Sequence, residues 1–261
     1  MLHGLYTAAQ GAAARATQLD VVANNIANAG TDGFKRALAL FQQHEPFDAE
    51  RGNPFPPEQQ LLGLDKHSGG VTVAATVTDL SQGPLLETGG ELDVAVAGPG
   101  FFAVAEAGEK TEFLTRAGNF TLDPEGRLLQ AGTGLEVRDV AGNPITIPED
   151  ASGVTVAPDG TISAAFPNAP TAAIATLKLL TPNDPAGLRH LGDGRYVAPA
   201  GTTPAGPGVS VRQGFLEASG VTPVTETLAM IEAQRGFEAN VNMIKYQEES
   251  LGRLLSAAAA R

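Results

Sequence analysis

The chain has 261 residues, 43% of them hydrophobic, with a formal net charge of −12 and no cysteine. That length and apolar content allow a real core, in one large domain or two small ones, and exclude wholesale disorder. The acidic balance argues against a nucleic-acid binder, which needs a basic stripe, and against docking on anionic lipid. The missing thiols exclude thiolate catalysis, cysteine-held zinc and iron–sulfur clusters.

Residues 2–28 read as one alanine-rich helix. Leu5, Ala9, Ala12, Ala16, Leu19, Ala23 and Ile26 recur at alternating spacings of four and three, the pattern of a seam that faces a partner helix. Gln10, Gly11, Arg15, Thr17, Gln18 and Asp20 interrupt this segment, and no basic stretch precedes it, so a cleaved secretory signal is not expected. No run approaches the ~18 apolar residues of a membrane span, so direct membrane insertion is not expected. Asn28-Ala29-Gly30 has the composition of a left-handed helix cap. Capping accounts for Asn28 alone; Asn24 and Asn25, poor helix formers one turn earlier, call for side-chain bonds elsewhere, such as to a neighbouring subunit.

Thr31–Arg36 reads as a tight turn that opens into an extended or helical segment through Phe41. His44–Gly70, with Pro46, Pro54, Pro56 and Pro57, reads as a long irregular connection. From Val71 the period changes to two: Val71, Val73, Ala75 and Val77 alternate with Thr72, Ala74, Thr76 and Thr78, as in a half-buried strand. Leu92–Val96 is expected to be a strand, Gly98-Pro99-Gly100 a turn, and Phe101–Val104 the returning partner. Turn signals follow at Asp123–Gly126, Gly142–Pro144, Pro158–Gly160 and Gly192–Gly194, between short runs at Phe113–Thr115, Gly134–Val137, Ile145–Ile147 and Ala175–Leu180. With 31 glycines, 18 prolines and no crossover helices, this predicts an all-β domain over about 90–200.

Residues 199–208 read as a linker, Val209–Leu216 as a strand, and 224–256 as a second helix introduced by Pro223. Phe237, Val241, Ile244, Leu251 and Leu255 carry its stripe, with Glu248 in the missing position. Val224, Leu228 and Ile231 lie one residue out of register with that stripe, and Gly236 sits near the slip. A helical glycine costs ~1 kcal/mol relative to alanine, so packing or close approach has to compensate. The expected fold class is α+β, with N- and C-terminal helices forming a coiled-coil-like layer and a central all-β domain. The expected divisions are 1–41, 42–90, 91–200 and 201–261.

No catalytic constellation emerges. His3, His44, His67 and His190 are scattered without positioned partners. Glu91 and Asp93 share a strand face by periodicity alone, and Asp123-Pro124-Glu125-Gly126 supplies too few oxygens for calcium. No nucleophile elbow, phosphate loop or dinucleotide fingerprint is present. No enzymatic activity, cofactor or metal is expected.

The run Leu19-Asp20-Val21-Val22-Ala23-Asn24-Asn25-Ile26-Ala27-Asn28-Ala29-Gly30-Thr31-Asp32-Gly33-Phe34-Lys35-Arg36 resembles the N-terminal signature of the flagellar basal-body rod and hook family. Leu92–Val96 with Gly98–Val104 resembles a second family segment, and Thr115-Arg116-Ala117-Gly118-Asn119-Phe120-Thr121-Leu122-Asp123 a third. The fourth is Gly214-Phe215-Leu216-Glu217-Ala218-Ser219 leading to Met230–Asn240. One departure is Gly220 and Thr222, where the family commonly has asparagines. Leu2–Ala8 and Gln247–Leu255 look most like the proximal-rod subunit adjoining the distal rod. The alternatives are the distal-rod or hook subunit or, from another class, a secreted β-rich binding module.

The resemblance implies a structural axial subunit that transmits torque and leaves the cytoplasm through the flagellar type III export apparatus without signal cleavage. Its partners would be other rod and hook-basal-body subunits and further copies of itself. The terminal helices would form the inner tube of the periplasm-spanning rod, with the β domain outside. The expected assembly interface comprises Leu5, Ala9, Ala12, Ala16, Leu19, Ala23, Asn24, Asn25, Ile26 and Asn28 at one end. At the other it comprises Leu228, Ile231, Phe237, Val241, Ile244, Leu251 and Leu255. A seam left without neighbours predicts frayed ends in the isolated monomer.

Overall fold

The computed structural model describes residues 2–43, 70–109, 111–167 and 169–259. His44, His67 and nearly all of the expected irregular connection lie outside the described residues. The chain has the expected α+β architecture, with a helix at each end and strands between them. It divides into two compact units. One holds the terminal helices and a strand pair; the other holds Ala27–Arg36 and Thr78–Thr222.

In the first unit, α1 runs from Leu2 to Ala27 and α2 from Pro223 to Ala259. Proline at the start of α2 lacks the N–H that would have no partner there, and Glu226 in its first turn complements the positive end of the helix dipole. Two strands, β1 (Ala37–Gln43) and β2 (Val71–Thr78), pair in the same unit. The segment through Phe41 is therefore extended. The expected left-handed cap at Asn28–Gly30 does not form. The left-handed residue after α1 is Gly33, with φ +68, and Asn28 instead accepts a backbone bond from Thr31 N–H at 3.1 Å.

The second unit is all β. Its central strand, Phe101–Ala105, is buried on both faces. By the two-residue period, Phe102 and Val104 enter one cluster with Val94, Phe120, Val137 and Ile162, while Phe101 and Ala103 enter another with Leu114, Leu180 and Tyr196. This strand pairs with Glu112–Thr115, Glu136–Val137 and Leu179–Pro182. The expected hairpin across Gly98-Pro99-Gly100 is corrected by this pairing. Val94–Ala97 bonds instead to Ser210–Gln213, because Gly98, at φ +104, directs the two segments to different partners.

Three smaller expectations also change. Gly214, at φ +76, breaks the predicted strand over 209–216 into Ser210–Gln213 and Phe215–Glu217, and the latter pairs with Leu85–Glu87. The predicted linker contains a strand, Thr202–Pro204, bonded to Leu179–Pro182. Ile145–Ile147 forms no strand but buries Ile145 and Ile147 in the core around a single bridge from Thr146 to Arg127.

Candidate functional site

Two constructions account for the residues singled out by sequence: the helix pair of the first unit and a charged clasp within the second. Helices α1 and α2 run antiparallel. Asn25 bonds Glu226, and a Cβ on Gly236 would lie 3.0 Å from Arg15 Nε. Likewise a Cβ on Gly11 would lie 2.9 Å from Asn240 Oδ1, and one on Gly4 would lie 2.7 Å from Gln247 Nε2. From each pair to the next, one residue number falls as far as the other rises. Glycine at these places leaves room for the Gln247, Asn240 and Arg15 side chains that reach across from the facing helix, which is the compensation Gly236 requires.

This tight line runs one residue ahead of the predicted α1 stripe. Gly11, Val22 and Asn25 on it are buried, as is Ala8. Of the predicted residues, Ala12 is buried, Leu5, Ala16, Leu19, Ile26 and Asn28 are half-buried, and Ala9, Ala23 and Asn24 are exposed. On α2, Phe237, Val241, Ile244 and Leu251 are half-buried, while Leu228, Ile231 and Leu255 are 59%, 43% and 70% exposed. The helix pair thus buries a small-residue and amide line and leaves apolar side chains on its flanks. Periodicity found the rhythm of four and three but ranked large apolar residues above glycine and amides when choosing the inward face.

Asn25 answers the question posed by the asparagine cluster. Its Oδ1 accepts from Ala37 N–H at 2.9 Å, and its Nδ2 donates to Ala37 C=O at 2.9 Å and to Glu226 Oε2 at 3.1 Å. One amide therefore joins the end of α1, the first residue of β1 and the first turn of α2. The partners lie in the same chain, not in a neighbouring subunit.

The clasp gathers residues from all four motif segments. Glu217 is almost fully buried between two cations: Lys35 Nζ at 2.5 Å from Oε1, and Arg116 Nη1 at 3.0 Å from Oε2. Gly83 N–H also donates to Oε1 at 2.8 Å. Lys35 donates to Ser81 C=O, and Arg116 to the carbonyls of Val96 and Gly98, so the surplus positive charge meets backbone oxygens. The Arg116 guanidinium also lies 4.8 Å from the centre of the Phe101 ring.

Around the ions, Tyr196 hydroxyl accepts from Lys35 N–H at 3.2 Å, and Phe34 lies edge-on to His190 at 5.6 Å between ring centres. Backbone bonds from Gly33 N–H to Glu217 C=O and from Gly220 N–H to Phe34 C=O tie the turn into the body. A Cβ on Gly33 would fall 2.4 Å from the Arg116 carbonyl carbon, so both its φ and its surroundings require glycine. Burial pushes Lys35 and Arg116 downward, with Glu217 acting against that in both cases. Burial pushes the Tyr196 hydroxyl up to about 12. The two cations share one carboxylate and draw further on backbone oxygens, while Arg116 Nε stays buried without a hydrogen-bond partner, so the arrangement acts as a lock between distant segments. Among the described residues no group of three or more acidic, histidine or cysteine side chains is placed to hold a metal, and no helix is long and apolar enough to cross a membrane.

Paired terminal helices with uncovered apolar flanks, joined in sequence to a β body closed by internal ion pairs, define a structural protein built for assembly. Three family models match the chain: flagella basal body rod protein over 5–35, the flagellar hook protein FlgE/F/G D1 domain over 95–164, and the flagellar basal body rod FlgEFG protein C-terminal region over 212–257. Lys35, Arg116 and Glu217 fall one in each. A flagellar basal-body rod protein FlgG from Agrobacterium fabrum is 34% identical over 95% of this chain and 96% of its own length. The FlgG of Bacillus subtilis is 33% identical over 98% and 99%. A FlgF from Caulobacter vibrioides is 34% identical over 87% and 86%. The chain belongs to the flagellar basal-body rod protein family and is a structural subunit of the rod.

Proposed function

We propose that this subunit is axial: its helix pair contributes to the inner layer of the rod and its β body lies outside that layer, so that torque passes between subunits through the helices. The observation that carries this reading is the uncovered apolar side of α2, where Val224, Leu228 and Ile231 are 71%, 59% and 43% exposed at spacings of four and three. Burying such side chains contributes roughly 1.5–3 kcal/mol each, which is available only on assembly. Copies of this chain and neighbouring rod and hook-basal-body subunits are the proposed occupants. Delivery is through the flagellar type III export apparatus, without removal of an N-terminal signal.

The opening and closing segments favour a proximal-rod position adjoining the distal rod. A FlgG-type role is the second reading, favoured by FlgG relatives that cover 95% and 98% of the chain against 87% for the FlgF relative. Complementation of strains lacking one or the other subunit separates these readings. Restored swimming in only one background assigns the position, and restoration in neither overturns the axial role.

A further inference from the structure

We infer that Asn25 helps set the register of the helix pair, alongside the bonds of Gly33 with Glu217 and of Gly220 with Phe34 between the segments that follow α1 and precede α2. The tight line between α1 and α2 is nearly periodic. Gly4 and Gly11 are seven residues apart and face Gln247 and Asn240, themselves seven apart. Sliding one helix by seven residues preserves its faces and places Gly4 against the Asn240 amide, or Gly11 against that of Gln247. Glycine facing an amide therefore recurs after the slip at this end of the pair. The Gly4 and Gly11 contacts alone do not select one register.

Asn25 breaks that periodicity. It is 1% exposed and bonds Ala37 through both amide atoms, which anchors it to β1. Its remaining amide hydrogen reaches Glu226, also 1% exposed, in the first turn of α2. A seven-residue slip in either direction parts Asn25 from Glu226 and leaves a buried carboxylate without that donor, a cost that falls only on the wrong registers. Leucine would fill the space without this preference. Aspartate would lose the donor to Ala37 C=O and set a second carboxylate against Glu226. The inference concerns the single chain and stands independently of its place in the rod.

The chain has no cysteine, so disulfide trapping has a clean background. The native register is read by the pairs G4C/Q247C and G11C/N240C, in which the amide that would crowd the new Cβ is itself replaced. Slipped registers are read by G4C/N240C and G11C/Q247C. In the otherwise unchanged full-length monomer the native pairs form disulfides and the slipped pairs do not. In Asn25→Leu the ratio of native to slipped trapping falls at least about tenfold.

Asn25→Asp produces the same fall, and adding Glu226→Gln, which moves the donor to the other helix, restores part of the ratio. This series keeps the inference testable if Asn25→Leu loses its helical circular dichroism. Native-only trapping in Asn25→Leu or Asn25→Asp overturns the inference, as does slippage in Asn25→Asp/Glu226→Gln equal to that in Asn25→Asp.

Discussion

Lys35 and Glu217 stand 182 positions apart in sequence and 2.5 Å apart in space, and both side chains are almost wholly removed from water. The ammonium lies in the turn that follows α1, and the carboxylate in the strand shortly before α2. Their bond joins two segments of the β body that lie far apart in the chain. Arg116, from a third segment, holds the other oxygen of the same carboxylate.

Glu217→Gln is the most damaging single change predicted for the β body. It leaves Lys35 and Arg116 buried without their shared counter-charge, and breaking a buried pair in this way costs about 3–5 kcal/mol. Lys35→Met should cost less, because Arg116 and Gly83 N–H still hold Glu217. Urea unfolding with tryptophan-independent probes such as circular dichroism checks the order, which matters more than the absolute values.

Gly33→Ala should destabilise by more than ~1–2 kcal/mol, since it combines a positive φ with a backbone clash against Arg116. Gly30→Ala is the control. Gly30 has no heavy atom within 4 Å of a built Cβ and no positive φ, so the same substitution three residues earlier should be neutral or stabilising by about 0.4–1 kcal/mol. Equal thermal shifts in the two variants would contradict this account of the turn.

Tyr196 makes the clasp sensitive to alkali. Its hydroxyl, ordinarily near 10.0, is raised to about 12, so the folded state keeps a proton that the unfolded chain releases. The stabilisation is complete below pH 10 and is lost as pH rises toward 12, by up to about 2–3 kcal/mol. Lys35, pushed down by burial, acts in the opposite direction over part of that range. The informative quantity is therefore the stability of the parent relative to Tyr196→Phe, which should shrink between pH 10 and 12.

Hydrogen exchange should grade the helix pair from one end to the other. Around Val22, Asn25, Glu226 and Ala233, all buried, amides should be protected in a dilute monomer; near Gly4 and Gln247 protection should be weak. Strong uniform protection across α1 would contradict the expectation of frayed ends.

Much of this architecture was legible from periodicity. Both helices, the Val71–Thr78 strand and the turn-rich body follow from spacing and from glycine and proline usage. Strand partners were less accessible: Val94–Ala97 and Ser210–Gln213 pair across more than a hundred residues, and short-range turn signals carry no information about such contacts. The inward helix face was displaced by one residue because hydrophobicity favours leucine, whereas room for the Gln247, Asn240 and Arg15 side chains favours Gly4, Gly11 and Gly236. The clasp residues stood in plain view within the family segments. Only folding showed that one carboxylate serves two cations from separate motifs.

The axial role is tested most directly by a photo-crosslinking residue at position 228 in intact basal bodies, with position 140 as reference. Leu228 is 59% exposed on α2 and Val140 is 65% exposed on the β body, so simple accessibility does not separate them. Burial of the helix flank on assembly predicts efficient crosslinks from 228 to a second rod subunit and few from 140. Abundant adducts from 140, with 228 left unreacted in assembled rods, would contradict it.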